Sequence, residues 1–187
     1  MRFRLLAATA ALVLATGCNP KDGQANNAQG NISADGRVAS NAVGTTLATP
    51  TGAPKSKDEA LKIMHERHEG MENLGKATKA IGRELKSDSP NLATIRASSK
   101  TITDIAPHVA SLFPPGTGPD VGKTGAKPAI WQNQQDFTAK ASDFQKAAQA
   151  FGTAAGGNDV AAIKKSFADM GNTCKACHDK YRTEMKH

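Results

Sequence analysis

Between Ser56 and Leu85 apolar side chains recur three, four and seven residues apart: Leu61, Met64, Met71, Leu74, Ile81 and Leu85, with His68 on the same stripe. With 3.6 residues per turn, that spacing gathers them on one face of a helix. A second stripe, Leu92, Ile95, Ile102, Ile105, Val109 and Leu112, follows Ser89-Pro90, a capping residue and a first-turn proline. Pro107 has no amide proton to give, so it predicts a kink or an early end. The Gly/Pro-rich stretch 113–128 cannot be regular helix. A third helix is predicted from near Ile130 to Asn133, with Phe137, Phe144 and Phe151 at seven-residue intervals and a stop at Gly156-Gly157. A fourth, capped by Asn158 or Asp159, carries Val160, Ile163, Phe167, Met170, Cys174, Cys177, Tyr181 and Met185. The expectation is an all-α protein, an antiparallel four-helix bundle over residues 56–187.

The first 55 residues follow other rules. Arg2 and Arg4 precede an apolar run from Leu5 to Leu14, the length of a signal peptide and too short to span a bilayer. Leu14-Ala15-Thr16-Gly17-Cys18 ends it as bacterial lipoprotein signals end, which makes residues 1–17 a leader and Cys18 the lipid-bearing terminus. An ordinary cleaved secretory signal is the alternative. Residues 18–55 are mostly Asn, Gly, Ala, Thr and Ser without a period, the composition of a flexible linker. Such a chain works in the periplasm, touching a membrane only through its lipid.

Charge and cysteine count narrow the chemistry. The formal charge of +7 is mild for 187 residues, and the cations are scattered among only eight aromatic residues. Nucleic acid is therefore a poor partner. Lysines would either solvate the surface or steer the chain toward an acidic redox protein. Of the three cysteines, Cys18 goes to the lipid, leaving Cys174 and Cys177 as a pair.

Cys174-Lys175-Ala176-Cys177-His178 is the chemical centre of the sequence. Two thiols three residues apart lie on one helix face and can both bond a porphyrin edge, and the adjacent imidazole can then bind iron. A zinc site would need a second pair of ligating cysteines, which the chain lacks. A dithiol redox motif belongs at the start of a helix in an α/β context, and no strand is predicted here. The cofactor expected is one covalently attached haem c.

With its haem motif at the end of a predicted bundle, the sequence resembles the class II c-type cytochromes, which include cytochrome c′ and its low-spin relatives. The resemblance rests on the ending Cys174 to Arg182, on Leu112-Phe113-Pro114-Pro115-Gly116-Thr117-Gly118, on Ala126-Lys127-Pro128-Ala129-Ile130-Trp131, and on Asp136-Phe137. It implies a four-helix bundle, His178 as proximal ligand, and frequent dimerisation through the first two helices, so a homodimer is possible. Leu61-Lys62-Ile63-Met64, followed by Met71 and Leu74-Gly75, is closest to the six-coordinate, low-spin members, a register that puts Met64 on the iron. Many members carry arginine where this chain has Ala60.

Three readings follow. The leading one is a carrier of single electrons with His178 and Met64 as axial ligands, its redox partners unidentified and no catalytic group visible beyond the haem. The second is a five-coordinate haem that binds nitric oxide or carbon monoxide, with Met64 as core filling. The third is a haem subunit of a membrane enzyme. His68, Met71 and Arg182 are further candidates for the haem surroundings, His68 as an alternative sixth ligand.

Overall fold

The computed structural model describes residues 52–183. The leader 1–17, Cys18 and nearly all of the linker lie outside the described residues, as do Met185 and His187. The elements are α1 (Lys57–Glu84), α2 (Leu92–Ile105), the single turn α3 (Ala129–Gln132), α4 (Gln134–Gly156) and α5 (Val160–Tyr181). Two 3-10 turns, Ala106–His108 and Ala110–Leu112, continue α2. No strand occurs among the described residues, only an isolated bridge between Ala126 and Arg182.

Local chemistry sets the ends. Glu59 donates its backbone N–H to Ser56 Oγ at 3.1 Å, and Asp58 and Glu59 put negative charge at the positive end of α1. Asp159 Oδ1 accepts from the N–H groups of Ala161 and Ala162, starting α5. For α2 the predicted cap at Ser89-Pro90 is corrected. Asn91 Oδ1 accepts from Thr94 N–H at 3.1 Å and the helix starts at Leu92. Pro107 does end the regular helix, since a 3-10 turn tolerates its missing donor.

In space α1 lies against α2, α2 against α4 and α4 against α5. By contrast, no Cα of α1 comes within 8 Å of a Cα of α5. The core between the packed pairs holds Ile81, Ile95, Ile102, Phe144, Phe151, Ile163 and Met170. Phe151 meets Phe167 of α5 with ring centroids 5.6 Å apart. Gly152 lets α4 pack close to α2, because a β-carbon there would stand 2.8 Å from Thr103 Cγ2. A smaller cluster at the end of α5 joins Ile130, Phe137 and Tyr181 to Phe113, Trp131 and Cys177.

The buried face of α1 is Ala60, Ile63, Met64, Arg67, Gly70, Ala77 and Ile81. Two expected members are corrected: His68 is exposed, and Leu61 is 40% exposed. At about 100° per residue the face centres between Ile63 and Arg67, so Met64 stands at its edge and Leu61 and His68 fall beyond it. No described helix is long and apolar enough to cross a membrane.

Candidate haem-binding site

The last two turns of α5 carry Cys174, Cys177 and His178. Both cysteines are free and half-buried on one face, Cys174 against the main core and Cys177 against the end cluster. Burial pushes both thiols up, so at neutral pH they remain protonated. His178 follows on the helix with its surface largely open. Partial burial on its inner side lowers its pKa first, Arg182 lowers it further and Asp179 opposes, so the neutral imidazole with a free lone pair is favoured.

This end of α5 is held in place. Tyr181 donates its hydroxyl proton to Asp136 Oδ2 at 2.5 Å, and Lys180 Nζ donates to the same oxygen at 2.9 Å. Together they hold the Asp136 carboxyl below the usual carboxylate range, the Tyr181 hydrogen bond contributing most. Lys127 donates its backbone N–H to Tyr181 O at 2.9 Å, and Thr183 donates to Gly125 O at 2.8 Å. Phe137 meets Tyr181 edge-on at 5.3 Å and Phe113 at 4.8 Å. The thiols and the imidazole therefore project from a rigid turn.

On α1, Met64 is buried beneath the connection that leads to α3. A β-carbon on Gly122 would lie 3.4 Å from Met64 Cε, 3.8 Å from its Sδ and 2.9 Å from Leu61 Cδ2. Glycine is thus what lets the connection rest on these two side chains. Arg67, one turn on, is also buried and donates only to that connection: to Thr117 Oγ1 and Thr117 O at 3.1 Å, to Thr124 Oγ1 at 3.2 Å and to Leu112 O at 3.5 Å. Its guanidinium lies 4.7 Å from the Phe113 ring centroid. Burial lowers its pKa to about 10, which leaves it charged at neutral pH.

The residues read from sequence separate accordingly. Cys174, Cys177, His178 and Arg182 share the end of α5, Arg182 being exposed and paired through its backbone with Ala126. Met64 comes from α1 under the connection. Met71 packs on the main core, while His68 faces solvent. From the sequence, Arg67 and Thr124 had no assigned role, and Thr117 only a place in the stretch that carries the family resemblance. The available signal was a cation three residues after Met64, on the same side of an otherwise apolar stripe.

A flat group held by two thiols and an imidazole suits this arrangement. The two thiols are free and lie on one helix face, and α1 and α5 do not pack on each other. Such a bundle, with its attachment motif in the last helix, has the architecture of the class II c-type cytochromes. The family model of cytochrome c′ matches residues 62–182. Cytochrome c′ of Allochromatium vinosum is 35% identical over 121 residues, 63% of this chain and 78% of that protein. The crystal structure of cytochrome c′ from Thermochromatium tepidum superposes with a TM-score of 0.62 at 33% identity, covering 71% of this chain and 100% of that one. A nitric oxide complex of a point mutant of cytochrome c′ from Alcaligenes xylosoxidans gives 0.61 at 25% identity, with 71% and 100% covered. The chain belongs to the cytochrome c′ family, and its cofactor is one covalently bound haem c.

Proposed function

We propose that this chain holds its haem through thioethers at Cys174 and Cys177, with His178 as the single protein ligand to iron. The haem held there would pass single electrons, and its iron, with no second protein ligand, would be open to nitric oxide or carbon monoxide. The observation that carries this reading is the packing of Met64. Met64 is buried and its thioether lies close to Gly122, which also meets Leu61, and this packing supports reading it as an apolar lid and not a ligand. The nitric oxide complex of the Alcaligenes xylosoxidans relative supports it further.

When bound, the haem would supply one-electron redox chemistry and an iron able to take up a small gas. The chain does the rest. The two thiols fix the group to α5, and the neutral His178 offers its lone pair. The apolar face of Met64 limits water and gives an incoming gas no hydrogen bond. Nothing beyond the haem is needed for a carrier and gas binder, so no enzymatic step is assigned. The leader-like start supports work in the periplasm, and Cys18 is the proposed lipid anchor.

The test is an optical spectrum of the haem-loaded protein, oxidised and reduced, before and after carbon monoxide. High-spin spectra with a strong carbon monoxide response are the expected result. The far-red band of a methionine–iron bond, sharp reduced bands and indifference to carbon monoxide would instead establish the His178/Met64 carrier, which the register of Leu61 to Met64 favours.

A further inference from the structure

Among the described residues Arg67 is the only buried charged one, and none of their carboxylates forms an ion pair with it. A desolvated cation without an anionic partner is costly, so its hydrogen bonds must compensate. Every one of them goes to the segment 112–124. On one limb the guanidinium grips Leu112 O, Thr117 O and Thr117 Oγ1, and on the other it grips Thr124 Oγ1. Thr117 is itself fully buried and donates its hydroxyl to Pro114 O at 2.8 Å, so the first limb is a firm anchor. Phe113 and Trp131 flank the guanidinium at 4.7 and 5.9 Å.

Gly122 lies between the two gripped limbs, and it is Gly122 that rests on Met64 and Leu61. The planar fork of arginine reaches both limbs at once, which a lysine ammonium on its single stem cannot do. We propose that Arg67 is a positioning residue for the distal side of the haem: by clamping Thr117 to Thr124 it holds Gly122 on Met64, and so governs how readily a small gas reaches the iron. The proposal rests on the open axial position argued above.

The experiment compares haem-loaded wild type, Arg67→Lys, Thr124→Val and Thr124→Ser. It reads carbon monoxide association to the reduced protein after flash photolysis, amide exchange over residues 117–124, and helical circular dichroism. Arg67→Lys and Thr124→Val should associate about tenfold faster, the size of effect expected when a hydrogen bond to a charged group is lost from a barrier. Exchange over 117–124 should rise with it, while Thr124→Ser keeps the hydroxyl and stays at the wild-type rate. Thr124 Oγ1 also accepts from Ala126 N–H, a bond that Thr124→Val removes and Arg67→Lys leaves alone. Agreement between these two variants therefore isolates the clamp.

Association within about twofold of wild type in whichever of the two variants keeps its helical signal would overturn the proposal. If the wild type binds no carbon monoxide, the open-position reading fails on its own. The clamp then predicts that Arg67→Lys and Thr124→Val acquire carbon monoxide binding as Met64 is released, and absence of that gain would overturn it as well.

Discussion

On the proposed reading, two side chains from different helices set the chemistry. His178 follows Cys177 directly, so any haem bonded to that thiol has its imidazole within reach, a relation set by adjacency in the chain. Met64 is a different case. Periodicity allowed it to be core filling or a ligand, and the structure puts its sulfur under the Gly122 backbone. Met64→Leu tests this at low cost to the fold, because a volume-conserving swap in a buried site costs less than about 1.5 kcal/mol. The variant should keep the high-spin spectrum and the carbon monoxide response of the wild type, with a small change in thermal midpoint. Conversion from a low-spin to a high-spin spectrum on substitution would show that the sulfur had been bound to iron. Residue-scale reading misplaced His68 because Met64 stands at the edge of the buried face. A side chain four residues further along that edge turns outward, and the inward place goes to Arg67.

Helix α5 carries the attachment motif, and its C-terminal turn is secured to α4 through Asp136. That carboxylate accepts from Tyr181 and Lys180, and its pKa lies below the ordinary 3.8. A carboxylate depressed in the folded state contributes stability that is fully present above its unfolded value. The contribution is lost as pH falls through the folded value. Wild type should therefore exceed Asp136→Asn in stability at neutral pH, and the gap should close on acidification below about pH 4. Chemical denaturation across pH 2–7 checks it, and a gap constant across that range would refute the role of Asp136. The bundle helices were legible because each has a strong apolar period, and α1, α2 and α5 also have a capping side chain. The start of α2 was displaced by two residues, since Ser89 and Asn91 are both competent caps and only the folded chain shows that Asn91 reaches Thr94.

For the molecule as a whole, the bundle keeps α1 and α5 apart while joining them through α2 and α4. The tether belongs to this scale too. If Cys18 bears the lipid, Cys18→Ser should move the haem protein from the membrane fraction to the soluble periplasmic fraction, with its haem spectrum unchanged. Equal partition of both forms would rule out the anchor. The amino-acid sequence by itself determined the all-α class, the four long helices and the haem motif, because helical period, caps and a five-residue motif are local properties of the chain. Its resemblance to class II c-type cytochromes was carried by residues close together in sequence for the same reason. Only the tertiary structure decided what lies over Met64 and where the charge of Arg67 goes. Those depend on a connection some fifty residues away folding back onto α1, with hydrogen bonds from Arg67 to Thr117 and Thr124 that no periodicity encodes.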